Sequence, residues 1–517
     1  MILDMSRKGE KMKLEHLENE FNKQNTLQRT ENGALGYSTS GNALLDINYQ
    51  VSSMRNYTEV EIIELFDEAL FENPILAVKW AFFLRDIREG MGERRSFRII
   101  LNHLANEFPT LARPLISMVS EYGRFDDLWG LLDTPLKEDV LIYVINQLAI
   151  DQEHMREGKP VTLLAKWLPS ANTSSKDSRR YASIIYHGLG CSKKKYRAIL
   201  KELREYIDVV ESNISRNKWS EVNYETVPSK ANLLYRNAFL KHDEGRRLEY
   251  LQKLSKGEAK INSSVNFPHD VVSRYQKSYY DFYYGNAKYD ETLEHLWKNL
   301  KDYGDLDEGV IVVRDGSGSM GYYLGNTSVM ALDVSTALAI YYSERLTDEF
   351  KDKFITFSSH PEIVDLSECE MLFDKLKVCA KHYDMSNTDI KAVFDLILDV
   401  AVKNNYKQED LPGNILIVSD MEFDHATTGY NQTLFEKIQS EYNKQGYQMP
   451  RLIFWNVCGR TNTVPMKEND LGVCLVSGFS PAITDMVMSG ELDPYKCLLN
   501  KINSPRYDAV EKALREV

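Results

Sequence analysis

The chain of 517 residues, 43% hydrophobic and 27% charged, has the composition of a soluble globular protein and is too long for one core, so two or more domains are expected. Its net charge of −13 and pI near 5.4 argue against a uniformly basic nucleic-acid-coating protein and leave room for a local basic patch. Six scattered cysteines without a C-x-x-C pair argue against a disulfide framework or zinc site and fit a cytoplasmic protein, and no apolar run approaches the roughly 20 residues of a membrane span.

Residues 1–57 read as a polar arm or loop. The opening MILDMSRKGEKMKLEHLENEF has no signal-peptide apolar core, and TENGALGYSTSGN carries Gly, Ser and Asn at turn-forming density. Helical periodicity begins at Thr58. Val60, Ile63, Phe66 and Leu70 lie three or four apart, Asn73-Pro74 ends one helix and starts another, and Ile75, Val78, Ala81, Phe82 and Leu84 line the next, up to Gly90-Met91-Gly92. Further helices are predicted near 95–107, 111–121, 137–156, 194–211 and 230–256, and no strand before residue 309. Residues 58–304 therefore form an all-α domain. Helices joined by short turns suggest HEAT-like repeats, although no signature recurs at a fixed period and a compact, irregular helical domain gives the same periodicity. Its last stretch interleaves Tyr275, Tyr279, Tyr280, Tyr283, Tyr284 and Tyr289 with Arg274, Lys277 and Lys288, a pattern that suits stacking on unpaired bases or packing between domains.

Residues 305–490 alternate strand and helix, and 491–517 form a C-terminal tail or helix. Val310, Ile311, Val312 and Val313 are β-branched and consecutive, as in a strand buried on both faces. A helix through Met330, Val334, Ala337, Leu338 and Tyr341 follows, then a strand at 353–358, an acidic loop, helices near 368–379 and 388–403, a strand at 414–420, a helix near 432–445, strands at 451–457 and 473–476, and a helix near 480–489. This order implies an α/β doubly wound parallel sheet, whose ligands bind at the carboxyl ends of the strands. Three segments converge on that edge: Asp315, Ser317 and Ser319 after the first strand, Ser386-Asn387-Thr388-Asp389 before a helix, and Ser419-Asp420 after a later strand. Oxygen-only ligands with few charges suit Mg²⁺ or Mn²⁺.

The D-x-S-x-S loop after a buried strand, the downstream Thr and the strand-terminal Asp together resemble the metal-ion-dependent adhesion site of von Willebrand factor A domains. The resemblance implies Ser317 and Ser319 as direct hydroxyl ligands, Thr388 as a direct or water-bridged one, and Asp315 and Asp420 acting directly or through water. A cation so weakly neutralised can accept an acidic residue from a protein partner, which makes a docking site. No general base, nucleophile or oxyanion hole accompanies it, and H-E-x-x-H and P-loop signatures are missing, so no enzyme is expected. Asp389, Glu422 and Asp424 read as nearby acids or a solvated rim. Arg314 stands where this family has an apolar residue.

Charge is segregated: residues 155–260 hold 22 Lys plus Arg against 12 Asp plus Glu in a chain of −13. Clusters at Lys176, Arg179 and Arg180, at Lys193, Lys194, Lys195 and Arg197, and at Arg246 and Arg247 suit phosphate contacts, or solvated helix faces. Helical repeats with basic clusters followed by an A domain, with stretches such as LAKWLPS, LGCSKKKYR and VPSKA, resemble TROVE-like proteins, the Ro-autoantigen class. That resemblance implies a ring of helical repeats closed by the A domain, with structured or misfolded non-coding RNA bound, its single-stranded ends in a basic hole and duplex on the rim. The expectation is a cytoplasmic, non-enzymatic RNA-binding scaffold. Its alternative is a protein-interaction adaptor, for example for an AAA+-type ATPase, that does not bind RNA.

Overall fold

The computed structural model describes residues 27–29, 35–276, 280–302, 309–325, 327–383, 389–420, 431–458, 473–480 and 493–516. Helices fill the chain from Ala43 to Lys298, and a six-stranded mixed sheet with flanking helices follows, so an N-terminal helical region precedes a C-terminal α/β domain. The arm is less open than its polarity suggests. Two three-residue strands, β1 (Leu27–Arg29) and β2 (Leu35–Tyr37), pair antiparallel, and a helix at Ala43–Tyr49 buries Leu44, Leu45, Ile47 and Tyr49. The polar lead-in conceals the apolar ALLDINYQV run, which packs against the far edge of the sheet: Ser52 N–H donates to Ser477 Oγ at 3.1 Å.

The helices at Glu59–Glu72, Pro74–Arg85, Arg95–Glu107 and Lys137–Arg156 fall where the periodicity places them. In the first, Ile62, Phe66, Ala69 and Leu70 face inward while Val60 is 63% exposed, because Thr58 caps the helix and sets its rotation. Residues 109–122 do not form one helix; Pro109 and Pro114 break the run into two short α-turns and a 3-10 stretch. The basic Lys176–Gly188 helix has no counterpart among the predicted ones, its apolar residues being too few to mark a face.

The sheet runs in the order β5 (Ile363–Asp365), β4 (Lys353–Thr356), β3 (Val310–Arg314), β6 (Asn414–Ser419), β7 (Arg451–Asn456), β8 (Val473–Ser477). All neighbours are parallel except β4 and β5. β5 lies in the predicted acidic loop: it is a three-residue edge strand with only Val364 buried, too short to show a pattern. Alternate residues of β3 face opposite layers. Val310 and Val312 join Leu416, Val418 and Trp455 under the Ala331–Ser343 helix, whereas Ile311 and Val313 join Ile415, Ile417 and Phe454 under the helices at Ile390–Asn404 and Asn431–Lys444. The helix expected near 480–489 falls outside the described residues.

The Ala331–Ser343 helix is buried along its whole length, between the sheet and the Pro268–Tyr275 helix of the helical region. Its Asp333 accepts the Met330 N–H at 2.7 Å through Oδ2, and its Oδ1 has no partner among the described residues; burial pushes the carboxyl from 3.8 up to about 8. With the folded value raised, the group's stability contribution is complete below about pH 4 and is lost as pH rises through 8. Asp333→Asn keeps the acceptor and cannot ionise. Its thermal midpoint is expected to rise above the wild type's by a margin that widens from pH 5 to pH 8, and parallel pH curves would contradict this.

The helical region both begins and ends on the α/β domain. At its start, Pro74–Arg85 packs against the C-terminal helices Pro494–Ile502 and Asp508–Arg515, with Lys79 Nζ 2.6 Å from Glu511 and Arg506 Nε 2.8 Å from Asp86. The predicted tail is therefore a clasp. At the other end, Glu294 accepts the N–H groups of Leu372 and Phe373, and the Tyr275 ring packs edge-on against Phe282 and tilted against Phe373. Tyr275 thus follows the interdomain-packing alternative, whereas Tyr283 and Tyr284 are exposed; Lys277 and Tyr279 fall outside the described residues.

Candidate functional site

The carboxyl ends of β3 and β6 meet where the strand order reverses, the place where open α/β sheets bind ligands. Asp315 is buried there. Its Oδ1 accepts the Ser317 N–H at 2.9 Å, its Oδ2 accepts the Ser419 hydroxyl at 2.6 Å, and its own N–H donates to Val418 O. Ser317 Oγ lies 2.9 Å from Ser319 Oγ, and buried Asp420 directly follows Ser419. Four of the five predicted ligand residues therefore gather at one edge. Thr388, with Ser386, Glu422 and Asp424, falls outside the described residues. Burial raises the Asp315 carboxyl above its ordinary value, despite hydrogen bonds from Ser419 and Ser317 and the nearby Arg314.

This donor set fits a small hard cation in one respect. The two hydroxyls lie close enough to share an ion, and both Asp315 oxygens already serve to fix Ser317 and Ser419. No three His, Cys, Asp or Glu side chains cluster as metal ligands among the described residues, so a cation here would rest mainly on hydroxyls and water. Asp389 caps its helix by accepting the Ala392 N–H. Arg314 does not wet the floor: it is fully buried, donates to the Cys379 and His382 carbonyls at 3.2 and 3.0 Å, and lies beside the Phe354 and Tyr383 rings.

The sequence-predicted basic residues do not share one surface role. Arg247 is 0% exposed, bonded to Asn232 and Thr292 among Tyr224, Phe239 and Tyr250, so the expectation of a phosphate contact there is corrected. A paired Arg-Arg on a polar helix reads as surface although one member points inward. Arg246 is tied to Asp243 and the Trp219 and Val222 carbonyls, Arg180 to Asp133, and Arg179 to the Thr173 and Ser174 carbonyls. Lys176, Lys193, Lys194, Lys195 and Arg197 are exposed at helix starts.

The concentrated positive charge lies elsewhere. A half-open cavity of about 1730 Å³ is lined by the helical region and bordered on one side by Leu324, Gly325 and Thr327 of the α/β domain. Nine arginines and lysines line it against four carboxylates. Gly325 has φ +55°, and a Cβ there would stand 2.9 Å from the Arg55 carbonyl oxygen, a close approach that seats this loop against the helices. Three cations come from one turn. After the Pro74–Arg85 helix the chain folds back so tightly that a Cβ on Gly90 would meet Phe83 O at 2.1 Å, and the turn presents Arg88, Arg94 and Arg95. Lys166, Arg204 and Lys230 line the cavity from later helices. None of the sequence-predicted basic residues is among its walls. Arg204 and Lys193 sit on one helix, separated by about 16 Å of axial rise. The turn sequence REGMGERR, a glycine-rich helix stop with three arginines, is the signal that could have found this site.

The two halves match two families of unknown function. A domain of unknown function, DUF2828, matches residues 30–142 and 186–305, and another, DUF7788, matches 309–506. An uncharacterized protein of Acanthamoeba polyphaga mimivirus is 27% identical over 92% of this chain and 87% of its own length. The boundary between the matches coincides with the change from helices to sheet. No helix among the described residues is long and apolar enough to cross a membrane.

Proposed function

We propose that this protein is a non-enzymatic RNA-binding scaffold, a HEAT-like helical ring closed by a von Willebrand factor A-like domain. The observation that carries the reading is the half-open cavity, whose excess of cations suits a polyanion. Trp167 on its wall lies under Arg124 at 3.9 Å and beside Lys166, and Tyr235 lines the same cavity, so planar groups meet charge there as single-stranded RNA requires. The A-like reading draws support from the parallel sheet with one antiparallel edge strand and from the Asp315–Ser319 loop at the strand-order reversal. In this account Ser317, Ser319, Thr388, Asp315 and Asp420 hold Mg²⁺ or Mn²⁺, which takes an acidic side chain from a protein partner, while the cavity holds non-coding RNA.

The division of labour is testable. Asp315→Ala removes the acceptor that fixes Ser317 and Ser419, and it is expected to abolish Mn²⁺ binding by calorimetry while RNA affinity stays within about twofold. Ser319→Ala is the milder counterpart, deleting one hydroxyl without touching the buried carboxylate. A folded variant with a large RNA defect would show that the two functions are not separate.

A further inference from the structure

Arg85, Arg94 and Arg124 of the cavity wall are backed by Arg98, Asp126 and Asp127, which do not line it. Arg85, Asp127, Arg98, Asp126 and Arg124 form a continuous chain of opposite charges: Arg85 Nε is 2.8 Å and Arg98 Nε 2.6 Å from Asp127, while Arg98 Nη2 is 2.8 Å and Arg124 Nη2 2.6 Å from Asp126. Arg94 adjoins this chain, and its guanidinium has no hydrogen-bond or ion-pair partner among the described residues; burial first, then repulsion by Arg124 and Arg98, pushes it below the usual value. Four guanidiniums thus share two carboxylates, leaving two positive charges without compensation where Arg98 and Arg124 are partly buried and Arg94 is exposed. Arg98 Nη2 adds a second loose end, because at 2.8 Å from Asp126 it is out of line for a hydrogen bond and is buried without another acceptor. Arg94 and Arg95 also line a second cavity, of about 580 Å³, together with Arg98, so the cluster is reachable where the two spaces adjoin.

We propose that Arg94, Arg98 and Arg124 form a seat for a phosphate monoester dianion. Two uncompensated charges match the dianion, whereas an internal phosphodiester carries only one, and guanidinium forks hold a terminal phosphate by paired charge-assisted hydrogen bonds. The seat rests on the RNA reading only for the source of the phosphate, which is either the phosphorylated end of a strand or a free phosphate compound. Within that reading it makes the wall selective for phosphorylated ends over hydroxyl ends. Arg94 sits just before the Arg95–Glu107 helix, whose first turn has no side-chain cap, and this favours negative charge at the same spot.

The experiment uses the full chain and four probes: single-stranded RNA of about ten nucleotides with a 5′-phosphate, with a 3′-phosphate or with hydroxyls at both ends, and inorganic phosphate alone. Wild type is expected to bind one phosphorylated strand roughly tenfold more tightly than the hydroxyl strand. Arg94→Gln, which breaks no side-chain hydrogen bond or ion pair among the described residues, should erase that difference, lowering phosphorylated-strand affinity by roughly tenfold and hydroxyl-strand affinity by much less; Arg94→Lys should restore part of it. Equal affinity for all three strands overturns the seat and leaves the RNA reading standing. Binding of inorganic phosphate, lost in Arg94→Gln, without affinity for any strand upholds the seat and removes the RNA reading. Binding of none of the four probes removes both.

Discussion

Asp127→Asn is expected to destabilise the folded chain by about 3–5 kcal/mol, the usual result of leaving a buried charge without its partner. Asp127 is fully inside the protein and makes three contacts at once: Arg85 Nε at 2.8 Å, Arg98 Nε at 2.6 Å and the Arg124 N–H at 3.0 Å. Asparagine fills the same space but offers one oxygen and an amide whose N–H groups repel a guanidinium. Arg85 is equally buried, and burial already pulls its guanidinium below the usual value against the opposing pull of Asp127. The variant therefore leaves Arg85 charged, dehydrated and unpaired. An exposed pair such as Lys218 and Glu221 provides the contrast, since its removal is expected to change stability by less than about 1 kcal/mol. Denaturant midpoints at constant slope measure both. A loss below about 1 kcal/mol for Asp127→Asn would mean that water reaches this pair and that the wall is looser than its geometry indicates.

The α/β half was legible because its signals are local. Four β-branched residues ending in Asp-Gly-Ser-Gly-Ser mark a buried strand and its loop without reference to anything distant, and the Asn414–Ser419 run does the same for β6. What the sequence could not display was pairing across distance. The Ser419 hydroxyl reaches Asp315 over 104 positions, and Arg506 reaches Asp86 over 420. The cavity was hidden for a related reason. Its cations run from Arg55 to Lys230, and in REGMGERR they are diluted by Glu89 and Glu93, so counting charge along the chain favoured continuous runs such as Lys193–Lys195. Arg247 shows the opposite error, a cation counted as surface that fills a core.

The central claim is that the cations of the cavity, and not the lysine run at 193–195, hold RNA. Arg88, Lys166 and Lys230 come from three different parts of the wall, and their ion pairs with Glu121, Glu211 and Asp270 are only partly buried, so replacing all three with Gln spares the core. Each cation that meets a phosphate of a single strand contributes about 0.7 to the slope of log affinity against log salt. The decisive measurement is the affinity for single-stranded RNA across a salt series, for wild type, for this triple variant and for the Lys193, Lys194 and Lys195 to Ala variant. The account predicts that the cavity variant loses roughly ten- to a hundredfold in affinity at low salt and that its slope falls by about 2, while the lysine variant stays near wild type. Unchanged binding by the cavity variant, or a larger loss in the lysine variant, would contradict it.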